Sequence, residues 1–187
     1  MRNLALELAR TVHHDGKDGV IDDIETGQGF GEWLESQGLR PSRAREKVVE
    51  LRRAIRALFA HAVHPDPPAK DDDGRLSLDI ALRQLNKAAT GVLRAPQLVW
   101  PDEVEYRETF ADESHQLLAE IARSAIDVLS GPDRKRLKAC PAPRCVKYFL
   151  QAHPRQAWCK PSCGNRARVG RYYQRHHDVS TGSDSTP

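Results

Sequence analysis

Two absences organise this 187-residue chain: residues 1–139 hold no cysteine, and Arg134 to His177 hold no Asp or Glu. Long apolar runs are missing as well. None approaches the roughly 20 residues that span a bilayer. The N-terminal apolar stretch, Met1 to Val12, is broken by Glu7 and Arg10, so it does not read as a signal peptide. Membrane and secreted classes are therefore not expected. Aromatic residues make up only 6% and apolar residues 39%. A folded core is within reach, but not a large one. The expected setting is cytoplasmic, where four cysteines more often form a metal site or reactive thiols than disulfides.

The missing acid is the stronger signal. Arg134 to His177 contains 12 Lys and Arg against no carboxylate. The other 17 basic residues share residues 1–133 with 24 of the 26 acids, a net charge of −7. An acidic body is thus joined to a basic module, and such asymmetry suggests that the basic part meets a polyanion.

The hydrophobic pattern is mostly helical. Leu4 to Val12 reads as a short helix, followed by an Asp- and Gly-rich loop from His13 to Gly29. Phe30 to Gln37 is a helix closed by Gly38. Ser42 can cap a long helix in which Ala44, Val48, Leu51, Ile55, Leu58 and Ala62 recur in steps of four and three. His64 to Asp73, with three prolines and three consecutive aspartates, reads as an exposed loop. Ser77 can cap the next helix, with Ile80, Leu82 and Leu85 as its buried candidates and Pro96 ending that region. Residues 97–108 alternate as a β-hairpin around Pro101-Asp102. Asp112 to Leu129 is helical again and ends at Ser130-Gly131-Pro132. The expected fold is mainly α with small β (α+β): a helical domain with a β-hairpin over 1–133, a zinc finger over 134–177, and a disordered tail over 178–187.

Cys140, Cys145, Cys159 and Cys163 follow C-x4-C-x13-C-x3-C. Two close pairs a dozen residues apart match a tetrahedral zinc site. Lys147 to Gln151 and Gln156 to Cys159 can pair as strands around a turn at His153-Pro154. A helix follows from Cys163, with Val169, Tyr172, Tyr173 and His176 at i, i+3, i+4 and i+7. Knuckle, hairpin and helix make a treble-clef layout. About 40 residues bury too little to fold alone, and structural zinc supplies what they lack. The alternatives are four free buried thiols or a redox pair. His153, His176 and His177 are substitute ligands in a further reading. Losing the zinc is expected to unfold the finger and leave the N-terminal domain helical.

At these residues the chain resembles a known family. Trp158-Cys159-Lys160-Pro161-Ser162-Cys163-Gly164-Asn165-Arg166 resembles the signature of the CGNR zinc finger family, and the Phe149 strand and the Arg/Tyr-rich helix fit it. That family usually pairs the finger with an N-terminal ABATE domain. Leu4 to Val12, the Trp33-Leu34 helix and the long helix with Leu51-Arg52 are similar to it. Two departures stand out: Arg10, where the family usually has an Asn nearby, and Gln151-Ala152-His153, where it tends to have an acidic and then a hydroxyl residue. The resemblance implies a stress-induced, DNA-binding transcriptional regulator.

On that reading Arg168, Arg171 and Arg175 share one helical face for phosphates or a groove, with Val169 and Tyr172 packing on the zinc core. Arg166 and Lys160 join them, and Arg134, Lys135, Arg136 and Lys138 add a second basic cluster. DNA is the expected partner, with RNA left open. The alternative is a basic face that docks on the acidic domain or on an acidic partner protein. Asn165 can instead cap the helix, and Arg166 can brace the finger. His13-His14-Asp15 with Asp18, Asp22 and Asp23 could bind a metal, but such loops are more often solvated turns. Asp71-Asp72-Asp73 reads as plain loop charge. No nucleophile motif, phosphate-cradling loop or acid/base pair is evident, so no enzyme is expected. The N-terminal domain is expected to sense a small-molecule effector in a crevice walled by Trp33, Trp100 and Tyr106, or to mediate assembly into a homodimer. The alternative is that these aromatic residues fill the core.

Overall fold

The computed structural model describes residues 3–17, 19–63, 76–108 and 112–181, with side chains up to Tyr173. The loop expected at His64–Asp73, Asp18, and the tail beyond Thr181 lie outside the described residues.

Helix α1 (Leu4–Arg10) starts where the Asn3 side chain accepts from the Leu6 N–H. A small hairpin follows, β1 (Val12–His14) with β2 (Val20–Asp22), inside the stretch expected to be all loop. Three-residue strands are too short to show alternation in sequence. Helix α2 (Gly27–Gln37) is capped by Thr26 and ends at Gly38, whose φ of 71° is the left-handed conformation glycine adopts freely. Helix α3 (Arg45–Val63) buries Val48, Leu51, Ile55 and Leu58, as the spacing predicts; it also buries Phe59, outside that pattern, and leaves Ala62 partly buried.

Helix α4 (Leu78–Ala89) is rotated from the expected phase. It buries Ala81 and Leu85, an i, i+4 pair, while Ile80 and Leu82 stay exposed. Ser77 has the extended cap conformation but makes no side-chain cap bond. Strands β3 (Arg94–Val99) and β4 (Glu103–Glu108) form the expected hairpin around a turn with a cis Trp100–Pro101 bond. Pro96 lies within β3, opposite Tyr106, and does not precede the hairpin. An edge strand tolerates the missing N–H. Helix α5 (Glu113–Ser130) is capped by Asp112 and buries Leu117, Leu118, Ile121, Ala125 and Val128.

Helices α1, α3, α4 and α5 pack together around Leu8, Ile55, Phe59, Leu85 and Ile121. A 3-10 turn (Pro132–Arg136) then leads into β5 (Leu137–Ala139), which pairs antiparallel with β6 (Tyr148–Leu150). Leu137 and Tyr148 are part of the helical core, and Phe59 meets the Tyr148 ring edge-on at 5.7 Å. Helix α6 (Pro161–Thr181) closes the described chain and runs four residues into the tail expected to be disordered. Among the described residues, no helix is long and apolar enough to cross a membrane.

Candidate metal centre and basic face

The knuckle between β5 and β6 brings the first two cysteines together. Cys140 donates its N–H to the Lys147 carbonyl at 3.0 Å, and Cys145 donates to Ala142 at 3.0 Å. The turn needs a left-handed residue, and Arg144 supplies it at φ 64°. Its guanidinium donates to the Lys17 carbonyl, which ties the knuckle to the β1–β2 loop. The start of α6 brings the second pair. Pro161, at the first helical position, needs no N–H partner. Gly164 allows the helix to approach Trp158, since a Cβ there would lie 2.9 Å from the indole Cδ1.

All four sulfurs lie within 4.8 Å of one another. Cys145 and Cys159 are 3.7 Å apart, Cys159 and Cys163 3.5 Å, and Cys163 and Cys145 3.9 Å. Zn–S bonds of about 2.3 Å in a tetrahedron place sulfurs about 3.8 Å apart. A disulfide needs about 2.05 Å, and all four cysteines are free. The thiols of Cys145 and Cys159 donate to Cys140 and hold it down to about 2. The same bond to Cys140 pushes Cys145 up to about 11 and Cys159 upward too. A divalent ion replaces the S–H···S bonds and lets all four ionise, so binding releases protons. The donor set and spacing fit Zn²⁺ bound by Cys140, Cys145, Cys159 and Cys163.

Two donors already compensate the thiolates. The Cys159 N–H reaches the Cys140 sulfur at 3.5 Å, and Arg166 Nη2 reaches Cys163 at 3.4 Å. Arg166 Nη1 also contacts His14 Nε2, while the Gly16 N–H donates to His14 Nδ1 at 2.8 Å. Burial, and then the Arg166 and Arg144 charges, push His14 below its ordinary value. Of the two arrangements open to Arg166, these contacts match the bracing one, with the side chain turned inward to Cys163 and His14. The other bridging groups carry no signal in local sequence. Arg10 Nε donates to the Tyr148 carbonyl at 3.3 Å, and the buried Arg56 donates to the Ala9 and Val146 carbonyls at 2.6 and 3.0 Å. Arg56 also lies 5.4 Å from the Tyr148 ring centre.

Several expectations are corrected here. Residues 156–159 form no strand, and β6 pairs with β5 instead. The Gln151 and Gln156 side chains close the loop instead, donating to Gln156 and Trp158 carbonyls and accepting from the Ala152 N–H. Val169, Tyr172 and Tyr173 do not pack on the metal cluster; they are 54%, 55% and 61% exposed. Cys163 is the α6 residue buried in that cluster, and Gly164 lies against Trp158, which packs on it. Asn165 does not cap the helix, which begins four residues earlier; it accepts from Arg168 at 2.7 Å. In the acidic loop, His13 pairs with Asp23, Asp22 pairs with Arg52, and Asp15 accepts from the Lys17 and Gly19 N–H groups. Among the described residues, only the cysteines gather as a metal-ligand cluster.

The basic residues divide into two groups. Arg168, Arg171 and Lys160 are exposed on the finger, and Arg171 is steadied by a 3.4 Å bond to the Ala167 carbonyl. The Arg175 side chain lies outside the described residues. Near β5, Lys135 and Lys138 are exposed. Arg134 caps the Leu129 carbonyl, and Arg136 pairs with Asp133 at 2.6 Å.

Comparison with known proteins agrees with this geometry. The family model ABATE, described as "putative stress-induced transcription regulator", matches residues 2–132. The CGNR zinc finger model matches residues 136–176. No curated protein matches the chain. With more than half of its length matched, the chain belongs to the ABATE family, and its C-terminal part is a CGNR zinc finger.

Proposed function

We propose that this zinc-binding regulator is a non-catalytic transcription factor that binds duplex DNA through the exposed face of α6. The observation that carries this reading is the composition of that face. Arg168 and Arg171 lie on it beside exposed Tyr172, Val169 and Tyr173, in a module without a single carboxylate from Arg134 to His177. Zinc holds the helix in place, and the arginines meet phosphates or base edges. Lys160, Lys135 and Lys138 add to the positive field.

The N-terminal domain takes the regulatory part in this proposal, by ligand sensing or assembly. The crevice expected for an effector changes place. Trp33 stacks on Phe30 in the core, while Trp100 and Tyr106 lie exposed on the hairpin. An open cleft of about 400 Å³ between α3, α4 and α5, lined by Leu51, Gln84, Ala88, His115 and Leu118, is the better candidate.

The test is duplex binding across a salt series with the zinc-loaded protein. Arg168→Ala with Arg171→Ala should flatten the log–log salt slope by up to about 2. An unchanged slope and affinity would rule out this face. Binding only to an acidic protein, with no nucleic-acid affinity, would favour the interaction-module reading.

A further inference from the structure

Among the described residues, the β3–β4 hairpin contributes no side chain to either core cluster. Pro96 stands opposite Tyr106, and Leu98 opposite Val104, so these four side chains share one face. The other face carries Ala95 opposite Arg107, Gln97 opposite Glu105, and Val99 opposite Glu103. One side is thus apolar and the other largely charged, the alternation of a half-buried sheet. Yet Leu98 is 67% exposed, Val104 56% and Tyr106 64%, and Trp100 at the turn reaches 85%. A two-stranded hairpin with both faces in water is marginal on its own.

We propose that this hairpin is a self-association arm: the arms of two copies of this chain pack apolar face to apolar face about a two-fold axis. Charge selects this occupant over nucleic acid, because Asp102, Glu103 and Glu105 surround the turn and would repel phosphates. The charges on the apolar face are Arg94 and Glu108, paired at 2.7 Å, and Glu108 also meets Arg123 of α5 at 3.4 Å. A second copy therefore meets no carboxylate outside an ion pair on that face, which lets the patch meet its own copy. Two exposed aromatic residues with Leu98, Val104 and Pro96 offer roughly 500 Å² per copy. Two copies then bury on the order of 1,000 Å², the lower bound for a specific interface. The association is weak and concentration-dependent, and the carboxylates remain on its outer surfaces.

Sedimentation equilibrium of the zinc-loaded full chain, up to the high micromolar range, tests this. The mass should climb from the 21.0 kDa monomer toward a dimer. Leu98→Glu should weaken the association by more than about tenfold, with an unchanged thermal midpoint because the side chain lies outside the core. Tyr106→Lys provides a second variant should the first misfold. Tryptophan emission gives an independent readout. It should shift to the blue with concentration as Trp100 leaves water, and Trp100→Phe should abolish the shift while keeping the dimer. A chain that stays monomeric at the highest concentration, or a dimer that Leu98→Glu and Tyr106→Lys leave intact, overturns the proposal.

Discussion

Asp22 holds a buried cation in place. Its carboxylate accepts from both Arg52 Nη atoms at 2.6 and 2.5 Å, and the Arg52 side chain is only 4% exposed. Burial raises the Asp22 pKa, but the Arg52 bonds outweigh it and leave the group below its ordinary value. Asp22→Asn leaves the buried guanidinium without its counter-charge, although the Thr11 hydroxyl still accepts from it at 2.7 Å; the expected loss is about 3 kcal/mol, read by urea denaturation. Arg166 has a different role, since it donates to a metal ligand. Arg166→Ala should weaken zinc retention by roughly 10–100-fold in a chelator competition, as loss of such an outer partner typically does. His14, which contacts Arg166, titrates below 6.5 in the folded chain. The unfolded chain therefore takes up the proton first. The stability attached to neutral His14 is complete above 6.5 and is lost as pH falls below that value. His14→Gln should shallow the acid-side slope of stability in a pH series, and an equal slope would deny His14 this role.

At the scale of elements, the helices were legible and their neighbours less so. Spacing in α3 and α5 located the buried faces, because long amphipathic runs repeat the signal several times. Helix α4 misled because Ile80 and Leu82 are large and Ala81 is small, yet tight packing against α3 and α5 selects Ala81. The three-residue strands β1 and β2 gave no pattern to read. In the finger the ligands were legible from spacing alone, but not the partner of β6. That partner, β5, precedes the first cysteine, and only three-dimensional pairing identifies it. The Gly164 contact with Trp158 belongs to this scale as well. Gly164→Ala forces the indole or the helix to shift and should cost about 1–3 kcal/mol. The measurement is the thermal transition of the full chain in excess zinc.

For the whole molecule, the two parts share a core. Leu137 and Tyr148 flank the knuckle and are buried among the helices, and Arg10 and Arg56 donate to the Tyr148 and Val146 carbonyls. The expectation that the finger unfolds alone therefore needs revision. Zinc removal by a chelator should lower the melting temperature of the whole chain in one transition. Tyr148→Ala, by opening a cavity beside Phe59, should cost about 3–5 kcal/mol. Two separate calorimetric transitions, with the helical one unmoved by the chelator, would show that the parts are independent.

Composition, spacing and charge were sufficient by themselves for three conclusions. They defined a mainly helical body, a four-thiol zinc site and a basic module free of acid, because each is written in local residue order. Tertiary structure alone decided which basic groups are turned inward, which aromatic residues are buried, and what holds the finger to the body. Arg166 and Arg168 are two positions apart on one helix, yet one bonds a metal ligand and the other is exposed. Trp33 and Trp100 are the same residue type, yet one stacks in the core and the other stands in water. Such outcomes depend on which distant surface arrives beside each side chain, and that is a property of packing which no local window of sequence contains.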